Sequence, residues 1–351
     1  MPPKLLNFAR HSVGPGQPCF VIAEAGVNHN GSVERARQLV DVAAQAGANA
    51  IKFQTFRAEK LVSSHAPKAD YQLQTTDTGE SQLAMLQRLE LSFEAFRELY
   101  AYCQAKSILF LSTPFDDESA NFLDDLGVAA FKIPSGEVTN IPFLTHIARK
   151  GKPMIMSTGM AYLGEVETAV HTLQAAGNHA FALLHCVSNY PAEPADINLR
   201  AMATLGAAFD VPIGYSDHTL GTAVPLAAVA LGACIIEKHF TLDRTLPGPD
   251  HRASLEPEEL SSLIHGIRMV ESALGHGRKE PAASEINTAA VARKSLVAEQ
   301  DIAVGTQLTE QHLAIKRPGD GLPPMMFAHV LGRTARVPIP AGTVLTLGML
   351  M

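Results

Sequence analysis

The sequence predicts a (β/α)8 barrel, the TIM-barrel class, followed by a small β-rich domain. Three observations predict it. Between residues 19 and 274, short apolar β-branched runs alternate eight times with longer amphipathic ones. Polar and charged residues recur at the same end of every strand-like run, while the run bodies are almost wholly apolar. Beyond residue 274 the alternation stops, and short runs punctuated by glycine and proline take over. Eight strand–helix units over about 250 residues is the count of a closed barrel. A doubly wound open sheet is the structural alternative.

The strand-like runs are 20–24, 50–53, 108–112, 130–133, 154–157, 181–186, 211–215 and 234–239. Helix-like runs separate them and an eighth follows. Ser32 precedes the run 33–46, Ser92 precedes 93–105 with Glu94 in its first turn, and Pro257 opens the last helix through 274. These are helix-start residues, because a short side-chain oxygen or a fixed φ serves the unpaired first turn. Gly47, Gly127, Gly151, Gly177 and Gly232 stand where helices should stop. The longest apolar run, 223–236, is broken by Pro225 and Gly232. It is too short to span a bilayer and reads as a buried helix turning into a buried strand. The barrel is therefore expected over 1–274, a linker over 275–292, and the small domain over 293–351, with strand-length runs at 295–298 and 336–339.

Composition narrows the function classes. The 351 residues are 46% hydrophobic and 18% charged, enough for a large core, which excludes disorder and the small disulfide-stapled class. With 28 basic and 35 acidic residues the formal charge is -7, which argues against a non-specific nucleic-acid binder but leaves room for a local basic pocket. Cys19, Cys103, Cys186 and Cys234 are too far apart in sequence for a zinc or redox pair. The expected setting is reduced and cytoplasmic, with no membrane association; residues 1–16 carry no apolar secretory core.

Barrel enzymes place their chemistry at the C-terminal ends of the strands. There the sequence offers Glu24, Lys52 and Gln54, Thr113, Lys132 with Ser135 and Glu137, Ser157, Ser188 and Tyr190, Ser216 with His218, and Glu237 to His239. Buried charges are costly unless used or paired, so capping alone does not account for the lysines and glutamates. Side chains alternate along a strand. Lys52 therefore shares a face with Gln54, Ser216 with His218, and Glu237 with His239. Lys238 points the other way and is assigned a structural role, paired at the rim.

His218 and His239 end neighbouring strands. Two imidazoles without a nearby cysteine suit Mn, Fe, Co or Zn with open positions; two unrelated rim histidines is the competing reading, and the residues alone leave both open. Asp217 and Glu237 are candidates to orient them. Lys52 and Lys132, with Thr113, Ser135, Ser157, Ser188 and Ser216, suit a phosphate and a carboxylate on one ligand. No glycine-rich nucleotide loop is present, which weighs against ATP or NAD. Glu24 suits a general base, or a salt bridge to Lys52. Asp250 and His251 are loop residues for a substrate or simply a turn.

These residues also carry a resemblance. The stretch Ala23-Glu24-Ala25-Gly26-Val27-Asn28-His29-Asn30-Gly31 resembles the opening strand of the sialic acid synthase family. So do Lys52-Phe53-Gln54, Ser112-Thr113-Pro114-Phe115, Lys132-Ile133-Pro134-Ser135-Gly136-Glu137, Ser157-Thr158-Gly159-Met160, Gly214-Tyr215-Ser216-Asp217-His218-Thr219, Glu237-Lys238-His239 and Gly248-Pro249-Asp250-His251, in order. The tail with Lys316-Arg317-Pro318-Gly319 looks like the family's antifreeze-like SAF domain, a β-clip fold. The resemblance covers nearly the whole chain.

The resemblance implies a phosphoenolpyruvate-dependent transferase of class EC 2.5.1.- that forms a carbon–carbon bond. Phosphoenolpyruvate and an N-acetylated amino sugar give a nine-carbon 2-keto acid plus phosphate. N-acetylmannosamine, giving N-acetylneuraminate, is the first expectation; 2,4-diacetamido-2,4,6-trideoxymannose, giving N,N'-diacetyllegionaminate, is the alternative. His218 and His239 would hold a divalent metal, manganese first, magnesium or cobalt otherwise. Lys52, Thr113, Lys132, Ser135, Ser157, Ser188 and Ser216 would hold phosphoenolpyruvate. Gln54, Glu137, Tyr190 and Asp250 would hold the sugar, and Glu24 would assist proton transfer. The family implies a domain-swapped homodimer in which Arg317 reaches the partner's sugar site. Ser188 stands where a member of the family has asparagine, and the aromatic residue that member has near Arg293 is missing here. Rival readings are a related synthase using a phosphorylated sugar, a lyase running toward pyruvate, and an inactive carbohydrate-binding barrel.

Overall fold

The protein is described by a computed structural model covering residues 4–77 and 79–351. It divides into two compact units, Met1–Gly275 and His276–Met351.

In the first unit eight strands form one parallel sheet: β1 (Phe20–Gly26), β2 (Ala50–Thr55), β3 (Leu109–Pro114), β4 (Phe131–Ile133), β5 (Met154–Ser157), β6 (Phe181–Cys186), β7 (Ile213–Asp217) and β8 (Ile235–His239). Their hydrogen-bonded order is β3-β2-β1-β8-β7-β6-β5-β4. β3 and β4 also lie alongside one another, so the sheet is a nearly closed barrel rather than an open doubly wound sheet. Eight major helices follow the strands: α1 (Val33–Gln45), α2 (Phe93–Ala105), α3 (Asp117–Leu126), α4 (Ile141–Ala148), α5 (Leu163–Ala175), α6 (Ala201–Phe209), α7 (Ala223–Ala230) and α8 (Pro257–Leu274). The expected start signals act as caps. The Ser32 hydroxyl accepts from the Arg35 amide, the Ser92 hydroxyl from that of Ala95, and Pro257 is the first residue of α8. The apolar run through 223–236 is indeed α7 leading into β8.

Strand alternation sorts the core into two layers. Val21, Ile51, Phe53, Phe131, Met156, Leu183 and Ile236 face outward and pack under the helices. Phe20, Ile22, Ala50, Leu111, Ile155, Leu184 and Ile235 fill the barrel interior. A hairpin that the sequence reading missed, Leu6–Phe8 with His11–Val13, adds Leu6, Phe8 and Val13 to that interior layer. Its three-residue strands are too short for a period to show. Also unforeseen are three short helices between β2 and α2, namely Ala58–Leu61, Asp70–Thr75 and Gln82–Leu89.

The second unit carries a two-stranded antiparallel sheet, β9 (Ser295–Ala298) with β10 (Leu313–Lys316), over a core that includes Leu296, Ile302, Leu308, Val330, Ile339 and Leu345. The stretch expected as a linker contains a short helix, Ile286–Ala292. Its alanines favour helix, whereas the linker reading rested on the glycine and proline upstream. The expected strand at 336–339 is reduced to a single bridge between Ile302 and Ile339. Among the described residues no helix is long and apolar enough to cross a membrane.

Candidate functional site

Period-two alternation carries the interior face of each strand from apolar to polar at its C-terminal end. Glu24 continues the face of Phe20 and Ile22, Lys52 that of Ala50, Lys132 that of Ala130, Ser157 that of Ile155, and Glu237 and His239 that of Ile235. These side chains converge on the floor and walls of a cavity of about 420 Å³ at that mouth of the barrel.

The floor is a network of two ammoniums and two carboxylates, all buried. Lys52 Nζ lies 2.9 Å from Glu24 Oε2 and donates to Thr113 Oγ1 at 2.8 Å. Lys132 Nζ donates to Ser157 Oγ at 2.7 Å. Glu237 sits between the lysines, its two oxygens 3.8 Å from Lys52 and 3.7 Å from Lys132, and accepts from Ser216 Oγ at 3.0 Å. Burial pushes the Glu24 carboxyl up to about 7, although Lys52 opposes the shift. Burial also raises Glu237, but Lys132 and Lys52 outweigh it and hold that carboxyl below its ordinary value. Burial lowers Lys132, whereas Glu237 and Glu24 overcome burial at Lys52 and raise it. Two cations held dry at one place suit an incoming ligand with more than one anionic group.

Above the floor stand the two histidines, with ring centroids 5.4 Å apart. His218 Nδ1 donates to the Val187 carbonyl at 2.7 Å, which orients the ring. His239 Nδ1 is buried without a hydrogen-bond partner, and burial holds this imidazole neutral. An oriented imidazole beside an unpartnered one is a donor set that a divalent cation fits. Among the described residues no group of three or more His, Cys, Asp or Glu side chains could hold a metal, so open positions would fall to water or substrate. The Tyr190 ring lies 4.0 Å from that of His218 and stacks on Tyr71 at 5.0 Å. Asp250 Oδ2 is 4.0 Å from His239 Nδ1, and burial lifts its carboxyl to about 6.

Of the residues singled out from sequence, Glu24, Lys52, Gln54, Thr113, Lys132, Ser135, Ser157, Ser188, Tyr190, Ser216, His218, His239 and Asp250 line this one cavity. Ser135 and Ser188 meet across Gly159. The Gly159 amide donates to Ser135 Oγ at 2.9 Å, and a Cβ there would come within 2.4 Å of Ser188 Oγ. Glu137 is not brought in: the turn Ser135–Glu137 rotates it aside, where it accepts from Asn140 Nδ2 at 2.6 Å. Arg317 belongs to the second unit, exposed just after β10. Lys238 points outward as its period requires, but it is wholly buried rather than at the rim. It pairs with Asp217 at 2.6 Å and donates to the Thr219 carbonyl, which removes Asp217 from the histidines. His251 is tied into the loop by Thr241 and Asn30. Glu237, a candidate from sequence for orienting the histidines, lies between the lysines. Sequence reasoning gave no site role to Cys186 or Tyr71, which line the cavity, and it missed the mainly apolar wall that the short helices contribute. Tyr71 lies in an isolated six-residue helix with no readable period.

Comparison with known proteins gives consistent relatives. The NeuB family model matches residues 39–279, and the SAF domain model matches residues 293–351. The chain is 50% identical over 318 residues to the N,N'-diacetyllegionaminic acid synthase of Campylobacter jejuni, covering 90% of this chain and 95% of that one. It is 46% identical over 336 residues to the enzyme of the same name from Legionella pneumophila, covering 95% and 94%. Its fold matches the crystal structure of N-acetylneuraminic acid (sialic acid) synthetase from Leptospira borgpetersenii, solved with citrate, at a TM-score of 0.73 and 40% identity, covering 82% of this chain and 95% of that one.

Proposed function

The chain belongs to the NeuB family, and from that premise we propose that it condenses phosphoenolpyruvate with 2,4-diacetamido-2,4,6-trideoxymannose, giving N,N'-diacetyllegionaminate and phosphate. The observation that carries the reaction is the pair of buried ammoniums, Lys52 and Lys132, facing one cavity with Glu24 and two histidines. What favours this sugar over N-acetylmannosamine, the first expectation, is the higher identity to the two legionaminic acid synthases.

Lys52 and Lys132, with Thr113, Ser135, Ser157, Ser188 and Ser216, hold the phosphate and carboxylate of phosphoenolpyruvate. Gln54, Tyr190 and Asp250 hold the open-chain sugar with its aldehyde toward the histidines. The phosphoenolpyruvate methylene carbon forms the new bond to the aldehyde carbon, and positive charge develops at C2. The fixed carboxylates of Glu24 and Glu237 face that charge in a dry site, where they act strongly. Water adds at C2 and gives its proton to Glu24, whose raised value near 7 matches a general base at neutral pH. The C2–O bond of the hemiketal phosphate then breaks: phosphate leaves on the lysines with the hemiketal hydroxyl proton, C2 becomes the keto group, and the proton held on Glu24 passes to the alkoxide formed from the aldehyde oxygen. A divalent metal, manganese first and magnesium or cobalt otherwise, would be held by His218 and His239 and would supply Lewis-acid polarisation of the aldehyde. A domain-swapped homodimer with Arg317 at the partner's sugar belongs to the same proposal.

The test is product stoichiometry. Manganese-loaded protein given both substrates should release inorganic phosphate and form the nine-carbon keto acid in equal amounts by mass spectrometry. Phosphate release without keto acid, or pyruvate as the product, would overturn the proposal.

A further inference from the structure

The cavity has two chemically distinct ends. One is the network of lysines and carboxylates. The other is a mainly apolar wall of Val27, Phe56, Leu61, Val62, Leu86 and Phe115, on or beside the short helices between β2 and α2, which also bring Gln72 and Gln82 to the cavity. The wall is backed by a separate small core that includes Met85 and Leu89. Phe56 and Phe115 meet edge to face at 6.3 Å. Leu61, Val62, Leu86 and Phe115 are only half-buried and turn apolar surface toward the cavity. The segment between Val62 and Leu86 is stapled by Lys68, whose buried ammonium donates to Thr76 Oγ1 at 3.0 Å and to the Asp77 carbonyl at 2.7 Å. That staple flanks the helix carrying Tyr71, which stacks on Tyr190.

We infer that this apolar wall is the specificity subsite for the end of the sugar remote from its aldehyde, and that it selects a 6-deoxy sugar with an acyl group at C4. The inference rests on the proposed condensation. With the aldehyde directed at the histidines and phosphoenolpyruvate over the lysines, the remaining carbons extend away from the charged floor. A hydroxyl pressed on these six apolar side chains loses its water and gains no partner from them, which is costly. A C6 methyl and an acetamido methyl bury apolar surface there instead. Discrimination by an apolar pocket reaches about tenfold or more per group.

The experiment measures kcat/KM for 2,4-diacetamido-2,4,6-trideoxymannose and for N-acetylmannosamine in the wild type, Leu86→Gln, Leu61→Gln and Leu86→Met. The wild type should prefer the diacetamido sugar. Either glutamine variant should lower the ratio of the two values by about tenfold or more, and Leu86→Met should leave it near the wild-type value. Two variants are used so that a folding defect in one does not remove the test. A ratio unchanged within about twofold in the glutamine variants would overturn the subsite while leaving the sugar assignment standing. A wild type that prefers N-acetylmannosamine would overturn the sugar assignment and the subsite together.

Discussion

Glu24 and Lys52 lie on adjacent strands in direct register, with Oε2 and Nζ 2.9 Å apart and both side chains almost wholly removed from water. The pair both holds the floor of the cavity and leaves Glu24 with a value near 7. Glu24→Gln preserves shape and removes the base. It should lower kcat by about two to four orders of magnitude and change KM for phosphoenolpyruvate far less. Steady-state kinetics check this. A raised KM with unchanged kcat would make Glu24 a binding group only.

Lys238 and Asp217 form the contrasting pair: fully buried on the outer face of the sheet, away from the cavity. Lys238→Met leaves Asp217 as an uncompensated buried charge and should cost about 3–5 kcal/mol. Replacing both partners by Met and Leu should cost less. Urea unfolding of the single and double variants measures the difference. Loss of turnover in a double variant of native-like stability would contradict a purely structural role.

Burial holds His29 at about 3 and His251 at about 4, both below the ordinary 6.5. Each is neutral in the folded chain and takes up a proton on unfolding, so the unfolded state binds more protons on the acid side. Stability from these groups is complete above about 6.5 and falls as the pH drops toward 3. The urea midpoint should decline across that window. His29→Asn should flatten the decline, even if its stability at neutral pH is lower.

Arg317→Ala should raise KM for the sugar far more than KM for phosphoenolpyruvate. Equal changes in the two would count against Arg317 as a group at the partner's sugar site.

Much of this was legible in the sequence because strand alternation is a strict rule. Lys52 with Gln54, and Glu237 with His239, share the inner face, while Lys238 faces out. What alternation does not give is reach. Whether Glu237 orients a histidine or spans two lysines depends on barrel curvature that brings β2, β4 and β8 within 4 Å contacts. Nor does alternation reach Glu137, because a tight turn, not a strand, carries it. The apolar wall stayed hidden because its helices, Ala58–Leu61 and Gln82–Leu89, span 4 and 8 residues, too short for a clear period.

The most direct test of the central claim is an internal competition. Manganese-loaded protein receives phosphoenolpyruvate with equal concentrations of 2,4-diacetamido-2,4,6-trideoxymannose and N-acetylmannosamine, with and without EDTA, and products are resolved by mass. The product ratio reads the ratio of kcat/KM directly. The account predicts N,N'-diacetyllegionaminate as the dominant product, lost with chelator. Dominant N-acetylneuraminate would contradict the sugar assignment, and no keto acid from either sugar with folded, metal-loaded protein would contradict the condensation itself.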